Sequence, residues 1–259
     1  MTAAIDPLAR TYSLLLAQPY PLAFVTLSGS HLYGFPSADS DFDLRGVHVT
    51  PPNIVLGLDA YRETVDAETE ADGYEDELVT HDARKYFRLL LKNNGYVLEQ
   101  IFSPIVLHDG GHLGELRAIA RTCITRRHEM HYKGFGYGEW LKFVNSPNKP
   151  VKVVLYVFRV LMTGIHLMRT GEIEANILRL NEAFGLPYID ELIEQKRSGL
   201  EKAGLIGGHG LDFYTHEYRK LEELLKTEAD RSTLPLDPTG RSALNDLLLR
   251  LRADAGNGA

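Results

Sequence analysis

The sequence predicts an α+β fold: a small mixed β-sheet core with flanking helices over residues 1–110, then an all-helical domain over residues 111–259. Two observations predict it. Up to Gly110-Gly111, short apolar runs of strand length alternate with helix-length patterns. Beyond that glycine pair the apolar residues recur almost entirely at helical spacing. A chain of 259 residues with 44% hydrophobic and 24% charged residues can bury a full core.

Taken in order, the strand-like runs are residues 22–28, 41–49, 75–81 and 105–108. Residues 59–74 read as an acidic loop, because turn residues and carboxylates interrupt any apolar pattern. Asp82 is a suitable N-cap for a helix carrying Tyr86, Phe87, Leu90 and Leu91, which ends at Asn93-Asn94-Gly95. The strongest helix starts at Pro150, where a missing N–H costs nothing, and runs through Val154, Phe158, Leu161 and Ile165 to a stop at Gly171. Later helices centre on residues 177–184, 189–196, 211–225 and 243–251. Residues 234–238 form a proline-bounded linker, and residues 254–259 are expected to fray. No internal repeat is present.

Composition bounds the function. No apolar run approaches the about 20 residues that span a bilayer, so no membrane partner is expected. The N-terminus lacks a signal-peptide pattern, and the expected location is cytoplasmic. The single Cys123 reads as a packed thiol on the buried face of a helix. A net charge of −7 argues against a broad nucleic-acid footprint. The charge is uneven, however: residues 59–77 hold nine acids against Arg62, and residues 117–152 hold eight Lys and Arg against Glu129 and Glu139.

The chemistry concentrates in Gly29–Gly46, reading GSHLYGFPSADSDFDLRG. Gly29 lets the backbone turn tightly and approach a phosphate, and Ser30 adds a hydroxyl donor at the entry to a short helix. Asp41 and Asp43 alternate with Phe42, so on one strand they share a face while Phe42 enters the core. Two close carboxylates repel unless a cation sits between them, and hard oxygen ligands select Mg²⁺ or Mn²⁺. The histidines His31, His48 and His81 fit no standard zinc spacing.

This arrangement resembles the DNA polymerase β nucleotidyltransferase superfamily: strand, Gly-Ser, helix-sized spacer, Asp-x-Asp strand. The wording Tyr33-Gly34, Ser37, Ser40-Asp41, Asp43 and Arg45-Gly46 is similar to the RlaP group of RNA repair-associated nucleotidyltransferases. Asp82-Ala83-Arg84-Lys85-Tyr86-Phe87, Leu91-Lys92-Asn93-Asn94 and Leu98-Glu99 extend the likeness. The resemblance covers roughly residues 22–108. It implies a catalytic nucleotidyltransferase domain over residues 1–110 and a helical domain over 111–259. It also implies an ATP-type nucleoside triphosphate substrate and two Mg²⁺ (or Mn²⁺) ions. The transferred nucleoside monophosphate goes to a hydroxyl acceptor, a tRNA or other RNA 3′ end, with release of pyrophosphate.

The resemblance also implies roles. Asp41 and Asp43 carry catalysis and metal, and a third carboxylate on a neighbouring strand completes the site. Counting back from Arg84-Lys85 matches Glu77, where the group more usually has Asp. Glu75 shares its face and stays open, as does neither residue. Gly29 and Ser30 position the β- and γ-phosphates. Arg45, two residues beyond Asp43, either reaches a phosphate or neutralises the aspartates. On the Pro150 helix, Lys152, Tyr156, Arg159, Thr163 and His166 form one polar stripe. Either it faces solvent, or its N-terminal end, with Lys152 and Lys149, holds the triphosphate. Two rivals remain: nucleotidylation (AMPylation) of a protein hydroxyl, and a regulatory module that binds nucleotide without turnover.

Overall fold

The computed structural model describes residues 7–71, 73–199, 204–205 and 209–257. In chain order the elements begin with α1 (Pro7–Leu16), β1 (Leu22–Leu27), α2 (Gly29–Tyr33), β2 (Asp43–His48), α3 (Pro52–Val55), β3 (Thr64–Ala71) and β4 (Tyr74–Asp82). There follow α4 (Ala83–Leu90), α5 (Gly95–Phe102), β5 (Val106–Asp109), α6 (Leu113–Arg121), α7 (His128–Asn145) and α8 (Val151–Thr170). The chain closes with α9 (Ile177–Phe184), α10 (Pro187–Ser198), α11 (Leu211–Arg231) and α12 (Arg241–Asn257). The α+β class is as predicted.

The chain forms two compact units: residues 1–29, 41–123 and 238–259 in one, residues 30–40 and 124–237 in the other. A single break near residue 110 does not describe this division. Helix α6 stays with the sheet, and α12 returns to it, because Arg252 donates to both Asp82 carboxylate oxygens at 2.6 and 2.8 Å.

In the first unit the five strands run in the order β3-β4-β2-β1-β5. Strand β1 is antiparallel to β2 and β5, β2 is parallel to β4, and β3 is antiparallel to β4. One face buries Leu14 of α1 with Val25, Leu27, Phe42, Leu44 and Leu78. The opposite face receives α4 and α5, with Tyr86 edge-on to Phe24 at 5.7 Å and its hydroxyl donating to the Val97 carbonyl at 2.8 Å. The helix starts follow capping chemistry. Asp82 accepts the Arg84 N–H at 3.0 Å, and Asn94 accepts those of Tyr96 and Val97.

Three expectations change. Residues 59–74 are not simply a loop, since Thr64–Ala71 is the edge strand β3. Its Asp66, Glu68 and Glu70 are exposed at alternate positions, as charged edge strands tend to be. The last helix continues to Asn257 rather than fraying from 254, while Gly258 and Ala259 lie outside the described residues. Cys123 is buried as expected, but it sits just past the end of α6, not on a helix face; burial raises its thiol pKa.

The second unit is helical and centres on α8. This helix ends at Gly171 in the left-handed conformation, φ +73°, as the glycine predicts. By length and a mean hydropathy of 1.6 it could cross a membrane, contrary to the reading that no run is long enough; 78% of that stretch is buried in the protein. The polar stripe of α8 does not face solvent either. Arg159 is 1% exposed and lies 3.6 Å from the Tyr33 ring centroid, and Tyr156 packs edge-on against Tyr33 and Phe35. Lys196 donates to the Ser37 hydroxyl at 2.6 Å and Arg197 to the Gly34 carbonyl at 3.0 Å. The helical unit thereby grips residues 30–40, which connect Gly29 to Asp41 in the chain.

Burial also makes the fold acid-sensitive. His128 is fully buried, its Nδ1 lies 2.9 Å from the Thr125 carbonyl, and desolvation lowers its pKa to about 4. Burial likewise lowers buried His48 to about 4. Unfolded histidines titrate near 6.5, so stability is complete above that value and falls as the pH drops from about 6.5 toward 4. The expected loss for His128 is up to about 1.4 kcal/mol per pH unit. Denaturant melts at pH 7 and pH 5 check this: His128→Asn should reduce the difference between them, and an unchanged difference would contradict it.

Candidate active site

The site is built where β1 ends and β2 begins, beside the middle of β4. Strand β1 leads to Ser28, whose N–H donates to the Asp43 carbonyl at 2.8 Å. Gly29 then turns with φ +62°, a conformation that glycine adopts without strain. The Asp43 carboxylate lies directly against its Cα: a Cβ on Gly29 would come within 1.8 Å of Asp43 Oδ2. Ser30 is buried, in the second unit, and its carbonyl accepts the N–H groups of Gly34 and Phe35. Helix α2 is only five residues long.

Asp43 begins β2, and its register partner on β4 is Glu77. Three interactions hold that register. The Glu77 N–H donates to the Phe42 carbonyl at 3.1 Å, and the Phe42 N–H donates to Asp76 Oδ1 at 2.7 Å. Asp76 is 1% exposed and takes both guanidinium donors of Arg10, which stacks between the rings of Phe42 and Tyr74 at 3.9 Å from each centroid. Asp76 thus faces inward, opposite to Glu75 and Glu77, and carries a structural role.

The side chains of Asp43 and Glu77 keep 31% and 35% of their exposure. Arg45 shares their face and donates through one nitrogen to both, reaching Asp43 Oδ1 at 3.4 Å and Glu77 Oε1 more closely. Its Nε donates to the Tyr96 hydroxyl at 3.2 Å. Burial disfavours the Arg45 charge, but Tyr96, Glu77 and Asp43 outweigh it and raise its pKa. Burial would raise the Glu77 carboxyl; the hydrogen bond and charge of Arg45 outweigh that and hold it below its usual value. The pair therefore stays ionised near neutral pH.

Asp41 lies two residues before β2 proper, and its Oδ1 accepts the Glu75 N–H at 2.8 Å. Glu75 is exposed and aligns with Glu70 on β3, whereas Glu77 aligns with both Asp43 and Glu68. The carboxylate beside Asp43 is therefore Glu77 and not Glu75. Among the described residues no three His, Cys, Asp or Glu side chains converge as a ready metal cage. The donor set still suits a hard divalent ion: two partly exposed carboxylates in register, with a guanidinium drawn between them. Lys152 lies half-buried near the start of α8 in the second unit. Lys149 is occupied elsewhere, its ammonium donating to the Val144 and Ser146 carbonyls at 2.8 and 2.7 Å.

Sequence reasoning missed Arg10, Tyr96 and Glu68. The Arg10–Asp76 pair spans 66 positions, and no local pattern announces it. The alternation of acids in residues 66–70 is the signal that could have revealed Glu68 on a strand.

This chain brings a glycine turn and a carboxylate pair together on a mixed sheet. It belongs to the RlaP family, the RNA repair pathway DNA polymerase beta family, whose pattern matches residues 6–250. An uncharacterized protein of Methanocaldococcus jannaschii is 30% identical over 154 residues, 59% of this chain and 63% of that protein's length. The chain thus spans less than two thirds of that relative. The uncharacterized protein YcgL of Bacillus subtilis is 25% identical over 193 residues, covering 70% of this chain and 71% of its own. A crystal structure of a nucleotidyltransferase-like protein from Exiguobacterium sibiricum matches at 16% identity and a TM-score of 0.34, over 87% of this chain and 76% of the other.

Proposed function

We propose that this protein transfers a nucleoside monophosphate from a nucleoside triphosphate to a hydroxyl at an RNA end. The observation that carries the reading is the register pairing of Asp43 with Glu77 beside the Gly29 turn. Family membership supports RNA as the acceptor.

In this reaction the acceptor oxygen forms a bond to the α-phosphorus. The bond from that phosphorus to the bridging α–β oxygen breaks, pyrophosphate leaves with the electron pair, and the hydroxyl proton passes to solvent. Gly29 lets the backbone turn approach the triphosphate beside the carboxylates, and Ser30 donates to its phosphate oxygens. Glu77, kept ionised by Arg45, orients the acceptor hydroxyl. Arg45 offsets phosphate charge, so most of the rate comes from positioning and charge stabilisation. Asp43 and Glu77, with Asp41, would hold the divalent ions. When bound, these ions supply neutralisation of the leaving pyrophosphate and a lowered pKa for the attacking hydroxyl.

Incubation with α-phosphate-labelled nucleotides, Mg²⁺ and either RNA or a protein extract tests the proposal. Label on RNA is expected. Label on protein alone would overturn the acceptor, and nucleotide binding with no transfer would overturn the reaction.

A further inference from the structure

We propose that the groove between α4 and α12 is the track on which the acceptor RNA lies, its phosphates held by Arg84, Arg88 and Arg241. The groove has a volume of about 180 Å³. Arg84 and Arg88 stand one turn apart on α4, both exposed, and Arg241 faces them from the start of α12. The floor between them is apolar, formed by Phe87, Leu91 and Leu248. No carboxylate lines the groove, and among the described residues none of the three guanidinium groups has an acidic partner. In a chain of net charge −7 such an unopposed cationic strip favours a polyanion. Arginine forks suit phosphate oxygens, and the apolar floor suits a base face.

The groove leads to the carboxylates. Helix α4 packs on the sheet face that carries Asp43, Arg45 and Glu77. It begins at Asp82, five residues along β4 from Glu77, or about 17 Å at strand rise. It then runs back, so that Tyr96, just beyond it, accepts a hydrogen bond from Arg45 within the site. Lys92 continues the strip four residues past Arg88 and is exposed. A strand whose end reaches Asp43 and Glu77 therefore has further phosphates level with the arginines.

This inference rests on the RNA-acceptor reading, and its test separates the two. A short fluorescent single-stranded RNA is titrated by anisotropy at several salt concentrations with the parent and with Arg84→Ala/Arg88→Ala/Arg241→Ala. Each lost phosphate contact lowers the slope of log affinity against log salt by about 0.7, so a decrease of about 2 is expected. Affinity at physiological salt should fall tenfold or more, with nucleoside triphosphate affinity and Tm unchanged. RNA binding by the parent with the same slope in the triple variant overturns the groove and leaves the RNA reading standing. No RNA binding by the parent overturns both. Binding of a polyglutamate peptide in place of RNA, lost in the triple variant, would make the groove a protein-docking site and overturn the proposal.

Discussion

Gly29→Ala is expected to abolish nucleotidyl transfer while leaving the protein folded. Two effects combine. An alanine at φ +62° is strained by about 1–2 kcal/mol, which lowers Tm by only a few degrees in a chain of this size. The larger effect is local. The new Cβ would lie 1.8 Å from Asp43 Oδ2 and 2.7 Å from its Cγ, so the carboxylate must leave its place against the turn. A displacement of about 1 Å in a reacting constellation can cost 10²-fold in rate. Steady-state transfer and a thermal melt, measured on the same preparation, check this. A variant with near-parental turnover would mean that the position of Asp43 against the glycine turn does not matter to the chemistry.

Glu77→Gln is expected to lower turnover by about 10²- to 10³-fold, the scale of one lost electrostatic contact to a transition state. Nucleoside triphosphate affinity should change far less, because the proposed role of Glu77 is on the acceptor side. Glu75→Gln should stay within about threefold of the parent, since Glu75 is exposed and its N–H, not its carboxylate, meets Asp41. The amide introduced by Glu77→Gln can still accept a hydrogen bond from Arg45, so the β2–β4 register is expected to survive. If Glu75→Gln were the damaging change, the strand would carry its chemistry one step closer to the β3–β4 turn.

Much of this arrangement was legible in the chain itself. Alternation across Glu75, Asp76 and Glu77 puts Asp76 on the face opposite the other two, because a strand has a period of two. Asp82 and Gly171 announced a helix start and stop through capping chemistry that depends on one residue. What was not legible depended on distance or on charge disguising a pattern. Strand β3 is an edge strand whose outward positions are acids, so it reads as a solvated loop until it is paired with β4. The return of α12 to the sheet depends on Arg252 meeting Asp82, 170 positions earlier. The polar stripe of α8 looked like a solvent face because charge usually stays wet. Its Arg159 is instead buried against Tyr33, where an aromatic face offsets desolvation.

The proposed reaction centre depends most directly on Asp43. With labelled nucleotide, RNA and saturating Mg²⁺, Asp43→Asn should show transfer reduced by about 10³-fold. Its Tm should stay close to the parent, since Arg45 keeps its ion pair with Glu77. Transfer at the parental rate by a folded Asp43→Asn protein would contradict the claim that this carboxylate pair is the reaction centre.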